Sequence, residues 1–576
     1  MNTDKPILSC VVILINTIIF SACQSNTHKS ADIVFKDGYI FTVDSLNSLK
    51  EAVAIKNGRI IFTGDNNEAT KFISKETKVI DLNGRMVLPG FIDSHCHVIS
   101  SYRYFYELNL YGLKTTKEIQ AAIKKYLIDN PDAKYIKGRG WSDTDFPGNG
   151  PDKKIIDEIV SDIPASFSSD GGHSIWVNSK TLELAGINKN TKNPAGGVIE
   201  RNPETKEPSG TLRENASELV SHIFPGYSVE KLKKGIEKYQ EMVLAFGITT
   251  AHDAYLDAAS NETEAFRILK TNNKLKMRFR ASLYIDPDKG VDQINSLIDE
   301  RNKNKGLHFQ TYSSKIFIDG VVEGSTALLK KSYIHIPVNF GEPLWTPEKL
   351  NNICAELDKD KFQIHVHAIG DSAVVVALNA FDFAKKQNGR RDSRNLITHL
   401  QLVDPIDILR FKELGVVAVP QPYWFSKDDY YYNIQVPYLG QERADEEYPM
   451  KSFFDKGVVV ASSSDYPVTI PCNPLEAIQY GITRSEFNTT DATEILWPEE
   501  RVTLYQMIRS FTINGAYANF LEEETGSIEV GKSADLIVLD RNLFDIPVTE
   551  IHNAKVLMTL FEGEEVFVDS TFNLKN

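Results

Sequence analysis

Two histidines flank a cysteine in the stretch GFIDSHCHVISS, Gly90 to Ser101. The run leading into them (Val87, Leu88, Phe91, Ile92) has the texture of a buried strand. Side chains alternate along a strand, so His95 and His97 share one face and Cys96 takes the other. Two imidazoles on one face can hold one metal ion, although an ordinary strand end could carry the same pair. The remaining polar residues in apolar surroundings bear on the choice. They are Lys315 in SSKIFIDG, His365 and His367 in KFQIHVHAIG, His399 in RNLITHLQ and Asp465 in GVVVASSSDYP. Each alone has a bland reading: a snorkelling or paired lysine, an aspartate capping the next helix, a histidine satisfied in a core. His365 reads either as a ligand or as a pocket-lining residue. Taken together, histidines, a lysine and an aspartate at strand ends form the donor set of a two-metal hydrolytic centre.

Those residues need a scaffold that gathers strand ends. Strand-like runs recur at Val87–His97, Gly247–Ala254, Arg278–Ile285, Ser313–Gly320, Lys361–Gly370, Arg394–Gln401, Gly415–Pro422 and Gly457–Pro467, with amphipathic helical stretches between most of them. Eight such units predict an α/β fold of the (β/α)8 TIM-barrel type spanning 89–524, with chemistry at the C-terminal ends of the strands. Residues 101 to about 235 break the repeat and read as an insertion. It contains a Pro/Gly-rich loop, Phe146–Pro151, and a β-like pair, GGVIERNPETKEPSGTLRE. Short apolar runs punctuated by Asp-Gly, Asn-Gly and Thr-Gly turns occupy 32–88, and the same texture returns over 525–570. The two ends together predict one β-sandwich domain.

A formal net charge of −14 argues against nucleic acid as a partner. At the N-terminus Lys5 precedes the apolar run Ile7–Phe20, then Ser21, Ala22 and Cys23. That order is a signal peptide over 1–22, and a Cys after small residues resembles a bacterial lipobox. Phe20 departs from its usual Leu. The expectation is a mature chain beginning at lipidated Cys23 with a polar tether to residue 31. The protein would then sit in the cell envelope, anchored by lipid to the outer membrane and facing the periplasm or the surface. Cys96, Cys354 and Cys472 are too scattered to imply a disulfide framework. A homodimer stays open.

The pieces PGFIDSHCH, GWSDTDFP, DGGHSIWVNS, KIFIDG, HVHAIGDSAV, THLQLVDP and SSSDYPV run in order from Pro89 to Val468. In that order the chain resembles the amidohydrolase superfamily, and within it the YtcJ-like branch that includes N-substituted formamide deformylase. Ser463 stands where that branch has Gly. The resemblance implies two divalent ions, zinc by expectation. His95 and His97 would bind the more buried one, and His367 and His399 the other. Lys315, carboxylated by carbon dioxide, would bridge both. Asp465 would bind the first ion and shuttle the proton, and His173 would reach over the pocket to the substrate. Trp141 and Phe146 are expected to line the same cavity. The implied reaction is hydrolysis of a non-peptide C–N bond in a small amide or N-substituted formamide, by attack of a metal-bridging hydroxide. The alternative is a lipid-anchored binding protein on the same fold without turnover. A glycosidase would use paired carboxylates such as Asp319 and Glu323, but would leave the metal donors unexplained.

Overall fold

The histidine-bearing runs do form strands, and they pair side by side. In a computed structural model, which describes Met1 and residues 30–194 and 196–572, seven parallel strands make one curved sheet. We label them β1 (Phe91–Cys96), β2 (Ile248–Leu256), β3 (Arg278–Tyr284), β4 (Phe309–Phe317), β5 (Gln363–Ala368), β6 (Leu396–His399) and β7 (Val417–Val419). Beyond Met1, the expected signal peptide, Cys23 and the expected tether as far as residue 29 lie outside the described residues. The strands follow one another in sequence order across the sheet. Helices between them cover the outside. Val229–Leu244 is typical: Ser228 caps it, and Leu232, Ile236, Tyr239 and Val243, spaced four, three and four apart, form its buried stripe.

The eighth stave is real but irregular. Residues 459–466 lie between β7 and β1 and hydrogen-bond to both. The Ala418 amide donates to the Val459 carbonyl (3.0 Å) and the Ala461 amide to the Ala418 carbonyl (2.9 Å). On the other side the Asp465 amide donates to the His95 carbonyl (2.8 Å) and the His97 amide to the Tyr466 carbonyl (2.6 Å). The sequence predicts a continuous strand over Gly457–Pro467. Asp465 instead takes a left-handed backbone, φ 57°, which turns the chain inward at the barrel mouth and ends regular pairing.

Strand Met86–Pro89, immediately before β1, belongs to a different sheet, where it pairs antiparallel with Leu536–Leu539. Segments from both ends of the chain thus share one six-stranded sheet. Phe35, Ile40, Val53, Leu82, Val87, Val538 and Leu560 bury against one another between it and a four-stranded sheet. Gly90 is the junction with the barrel. A Cβ there would meet Thr249 Oγ1 at 2.3 Å, so only glycine permits the approach. The insertion holds more structure than its sequence suggests. The anticipated β pair forms (Gly197–Arg201 against Pro208–Glu214), but as one edge of a six-stranded sheet that also includes Ile136–Trp141, Ala165–Ser169 and Ser174–Val177.

One buried cation ties the terminal sheet to the barrel. Arg278, at the start of β3, is fully buried. Its guanidinium pairs with Asp535 and donates to Glu562 Oε1 at 2.9 Å and Ser533 Oγ at 3.0 Å. Removing one partner of such a pair leaves an uncompensated charge in a low-dielectric interior. Arg278→Leu is therefore expected to destabilise the protein by about 3–5 kcal/mol, read as a lower urea midpoint. An unchanged midpoint would show that the terminal sheet docks by apolar contact alone.

Candidate metal centre

His95 and His97 come from β1 and its end, and Asp465 from the stave beside it. His95 Nε2 lies 3.3 Å and His97 Nε2 3.1 Å from Asp465 Oδ1. Asp93, two residues before His95, sets this placement. Its carboxylate accepts the Ser464 amide (3.0 Å), the Ser464 hydroxyl and the His95 amide (3.3 Å). Burial pushes the Asp93 carboxyl up to about 7, against the pull of the Ser464 and His95 hydrogen bonds. Among the described residues, His95 Nε2, Asp465 Oδ1 and Lys315 Nζ are buried with no hydrogen-bond partner. Leaving such groups unpaired costs roughly 1–3 kcal/mol each. A divalent ion fits this set: two imidazole nitrogens and a carboxylate oxygen, all within 4.8 Å of one another.

The remaining donors lie alongside. Strand register sets Lys315 of β4 beside His365 of β5, and Phe317 beside His367. Lys315 is fully buried, and burial lowers its ammonium to about 7. His367 Nε2 donates to the Gly320 carbonyl (3.1 Å), and His399 Nδ1 sits 3.1 Å from Gln421 Oε1. The His367 and His399 rings are 4.5 Å apart. Burial holds His95, His365, His367 and His399 well below the usual imidazole range, so they stay uncharged, and each keeps one nitrogen lone pair. His365 is not in the cavity with His367. It lies one layer deeper, with Nε2 2.8 Å from His95 Nδ1.

Two adjoining cavities, each of about 290 Å³, open onto this cluster and share His173, His367, His399 and Asp465. One is polar, with Arg103, Arg139, Glu214 and Lys315 in its wall. The other has aromatic walls: Tyr423, Trp424, Tyr430 and Tyr448. His173, on the insertion, hangs over the cluster with its ring 5.3 Å from that of His367. Burial alone would discharge it, but Glu214, with Oε2 2.9 Å from Nδ1, outweighs that and holds the imidazolium up to about 9.

Trp141 and Phe146 do not line these cavities. Trp141 is fully buried in the apolar core of the insertion sheet, where its indole N–H donates to the Phe167 carbonyl at 2.8 Å. Phe146 packs against that core and stacks toward Trp176. A large apolar surface with one satisfied donor belongs there rather than at a wet cavity wall. Sequence reasoning also missed Glu214, Asp93 and His252. Glu214 ends the anticipated β pair, and Asp93 precedes His95 by one strand repeat, so both had a positional signal. His252 lies on a strand that the sequence identifies, GITTAHDA, and is fully buried.

Residues 78–567 match the family described as the amidohydrolase family. Over 568 residues the chain is 32% identical to Protein LONG AFTER FAR-RED 3 of Arabidopsis thaliana, covering 96% of this chain and 95% of that one. It is 26% identical to N-substituted formamide deformylase of Arthrobacter pascens, covering 92% and 97%. A solved metal-dependent hydrolase from Pyrococcus furiosus, itself uncharacterised, superposes with a TM-score of 0.67 at 27% identity, covering 88% of this chain and 99% of that one.

Asp93 is the brace between the ligand strand and the ligand stave. In Asp93→Ala the Ser464 amide and hydroxyl lose their acceptor, and Asp465 is no longer held toward His95. Metal analysis of the purified variant is expected to show at least a ~10-fold weaker hold on divalent metal, the usual consequence of losing a group that orients a ligand. Full metal retention would show that the backbone hydrogen bonds suffice.

Proposed function

Because the chain belongs to the amidohydrolase family, we propose that it is a metal-dependent hydrolase of a non-peptide carbon–nitrogen bond, in a small amide or N-substituted formamide. The observation that carries this reading is the convergence of His95 Nε2, His97 Nε2 and Asp465 Oδ1, with two of the three lacking any other partner, at the meeting point of two cavities. Divalent ions bound here would acidify a water and polarise the substrate carbonyl. His95, His97 and Asp465 would hold one ion, and His367 and His399 the other.

Lys315 is suited to carboxylation. Its neutral amine is accessible near pH 7. The nitrogen attacks carbon dioxide, a C–N bond forms, and one proton leaves. The product would be an anionic carbamate in place of a buried cation, a group that would help to hold divalent ions. Asp465 turns Oδ1 toward His95 and His97, while Oδ2 lies 4.0 Å from His399 Nδ1. That second oxygen can take a proton from the attacking water and return it to the leaving nitrogen. His173, held cationic by Glu214, can donate to the carbonyl oxygen as negative charge develops there. The aromatic cavity offers a seat for an apolar N-substituent, in keeping with the deformylase relative. On the same proposal a lipid at Cys23 would hold the enzyme at the outer membrane and take no part in the chemistry.

The test is to load the full-length protein with zinc in the presence of bicarbonate and follow amine release from N-formyl and N-acyl amines. Hydrolysis that stops on chelation supports the reading. Full metal occupancy with tight binding and no turnover would favour a binding protein. With a substrate in hand, Asp465→Asn is expected to lose about 100- to 10,000-fold in rate, the range for removing a general acid–base, and to lose less on substrates with better leaving groups. His173→Ala is expected to keep its metal while kcat/KM falls steeply. A fall in metal content along with activity would make His173 a ligand instead.

A further inference from the structure

Below the metal donors runs a buried line of hydrogen bonds that the proposed chemistry does not use. It starts at Asn519, which follows helix Ile513–Ala518. Asn519 Nδ2 donates to the Gly515 carbonyl at 2.9 Å, which fixes the amide so that Oδ1 faces the barrel. There Oδ1 meets His252 Nδ1 at 2.8 Å and the Tyr312 hydroxyl at 3.2 Å. His252 Nε2 meets Ser282 Oγ at 2.8 Å, and Ser282 Oγ meets His365 Nδ1 at 3.3 Å. His365 Nε2 then meets His95 Nδ1 at 2.8 Å. His95, His252, Ser282 and His365 are all fully buried, and Asn519 is 1% exposed.

The direction of every bond follows from the first. A carbonyl oxygen only accepts, so His252 must carry its proton on Nδ1. No carboxylate among the described residues touches His252, Ser282 or His365, and full burial with only neutral partners keeps such imidazoles uncharged. His252 Nε2 is then bare and takes the Ser282 proton. The Ser282 oxygen accepts from His365 Nδ1. His365 Nε2 is bare in turn and accepts from His95 Nδ1. His95 is left with its lone pair on Nε2, the atom 3.3 Å from Asp465 Oδ1.

We propose that Asn519, acting through His252, Ser282 and His365, is a positioning residue that locks His95 in the tautomer whose Nε2 can bind metal. Without the relay His95 could place its proton on Nε2 and present an N–H to the ion. The inference rests on His95 being a metal donor, but the relay itself can be read in the metal-free protein.

The experiment uses the full chain with isotope-labelled histidine. Ser282→Ala removes one hydroxyl with almost no change in volume, and Asn519→Leu removes the origin of the line. Carbon and nitrogen shifts of the metal-free wild type are expected to show His252, His365 and His95 each protonated on Nδ1. Ser282→Ala is expected to leave His252 so protonated while His365 and His95 become mixtures. Asn519→Leu is expected to mix all three. Zinc affinity by chelator competition is expected to fall about 10-fold in both, the lower end for loss of a group behind a ligand. Ser282→Thr, which keeps the hydroxyl, is expected to restore both readouts. A variant that merely loosened the fold would not give this ordered pattern. His95 unchanged in Ser282→Ala, or unchanged zinc affinity in a folded Ser282→Ala protein, would overturn the proposal. Ordered tautomers in a wild-type protein that binds no zinc would uphold the relay and refute the metal reading, which separates the two.

Discussion

A lone pair buried without a partner is the constraint around which this barrel is organised. The barrel histidines are buried, His95, His252 and His365 completely, so each such imidazole must be neutral and hydrogen-bonded, or must face a cation. Neutrality is what lets the rings crowd. The His95 ring lies 4.7 Å from that of His365 and 5.1 Å from that of His399, with His367 and His399 closer still. Charged rings at those separations would repel strongly at low dielectric. The fold satisfies the outward nitrogens with protein partners and leaves a small set, His95 Nε2 and Asp465 Oδ1 among them, facing one another. With the His95 proton on Nδ1, its Nε2 and Asp465 Oδ1 are both acceptors and cannot pair with each other. A cation can pair with both.

The same constraint explains why the barrel closes as it does. A regular eighth strand would direct alternate side chains inward but would not bring a carboxylate back across the mouth to β1. The left-handed backbone at Asp465 does, and Asp93 holds the preceding Ser464 in place. The sheet gives up regular pairing there and recovers it as hydrogen bonds from the Asp465 amide to the His95 carbonyl and from the His97 amide to the Tyr466 carbonyl. The left-handed turn at Asp465 falls where the carboxylate meets His95 and His97.

Most of the scaffold was legible from periodicity. Period-two alternation put His95 with His97, and His365 with His367, on shared faces, and the structure keeps those faces inward. Alternation does not give depth, however, and this is why His365 could not be told from His367. Which of two inward histidines meets the cavity depends on strand stagger, a property of pairs of strands rather than of one. Trp141 and Phe146 misled for a related reason. They belong to GWSDTDFP, a stretch rich in polar residues, but their rings pack into the apolar core of an insertion sheet that the sequence scarcely announced. His252 was on a recognised strand and went unremarked because the sequence does not show what it meets. Its partners, Ser282 and Asn519, come from other elements.

The site is divided between two bodies of structure. Every proposed metal donor comes from the barrel, whereas His173 and the Glu214 that charges it come from the insertion sheet. The two must therefore be held in register. Thr326 of the barrel donates to Glu214 Oε1 at 3.0 Å, Tyr430 donates to Asp170 Oδ1 at 2.8 Å, and Tyr111 of the insertion donates to the Pro467 carbonyl at 2.8 Å. These bonds ring the two cavities, so the residues that dock the insertion also shape the space open to a substrate. Two of them end within four residues of His173 or Asp465. Docking and selectivity are thus not separable here: a change that loosens the insertion moves the imidazolium placed over the cluster. The proposed metal donors belong to the barrel and do not travel with the insertion.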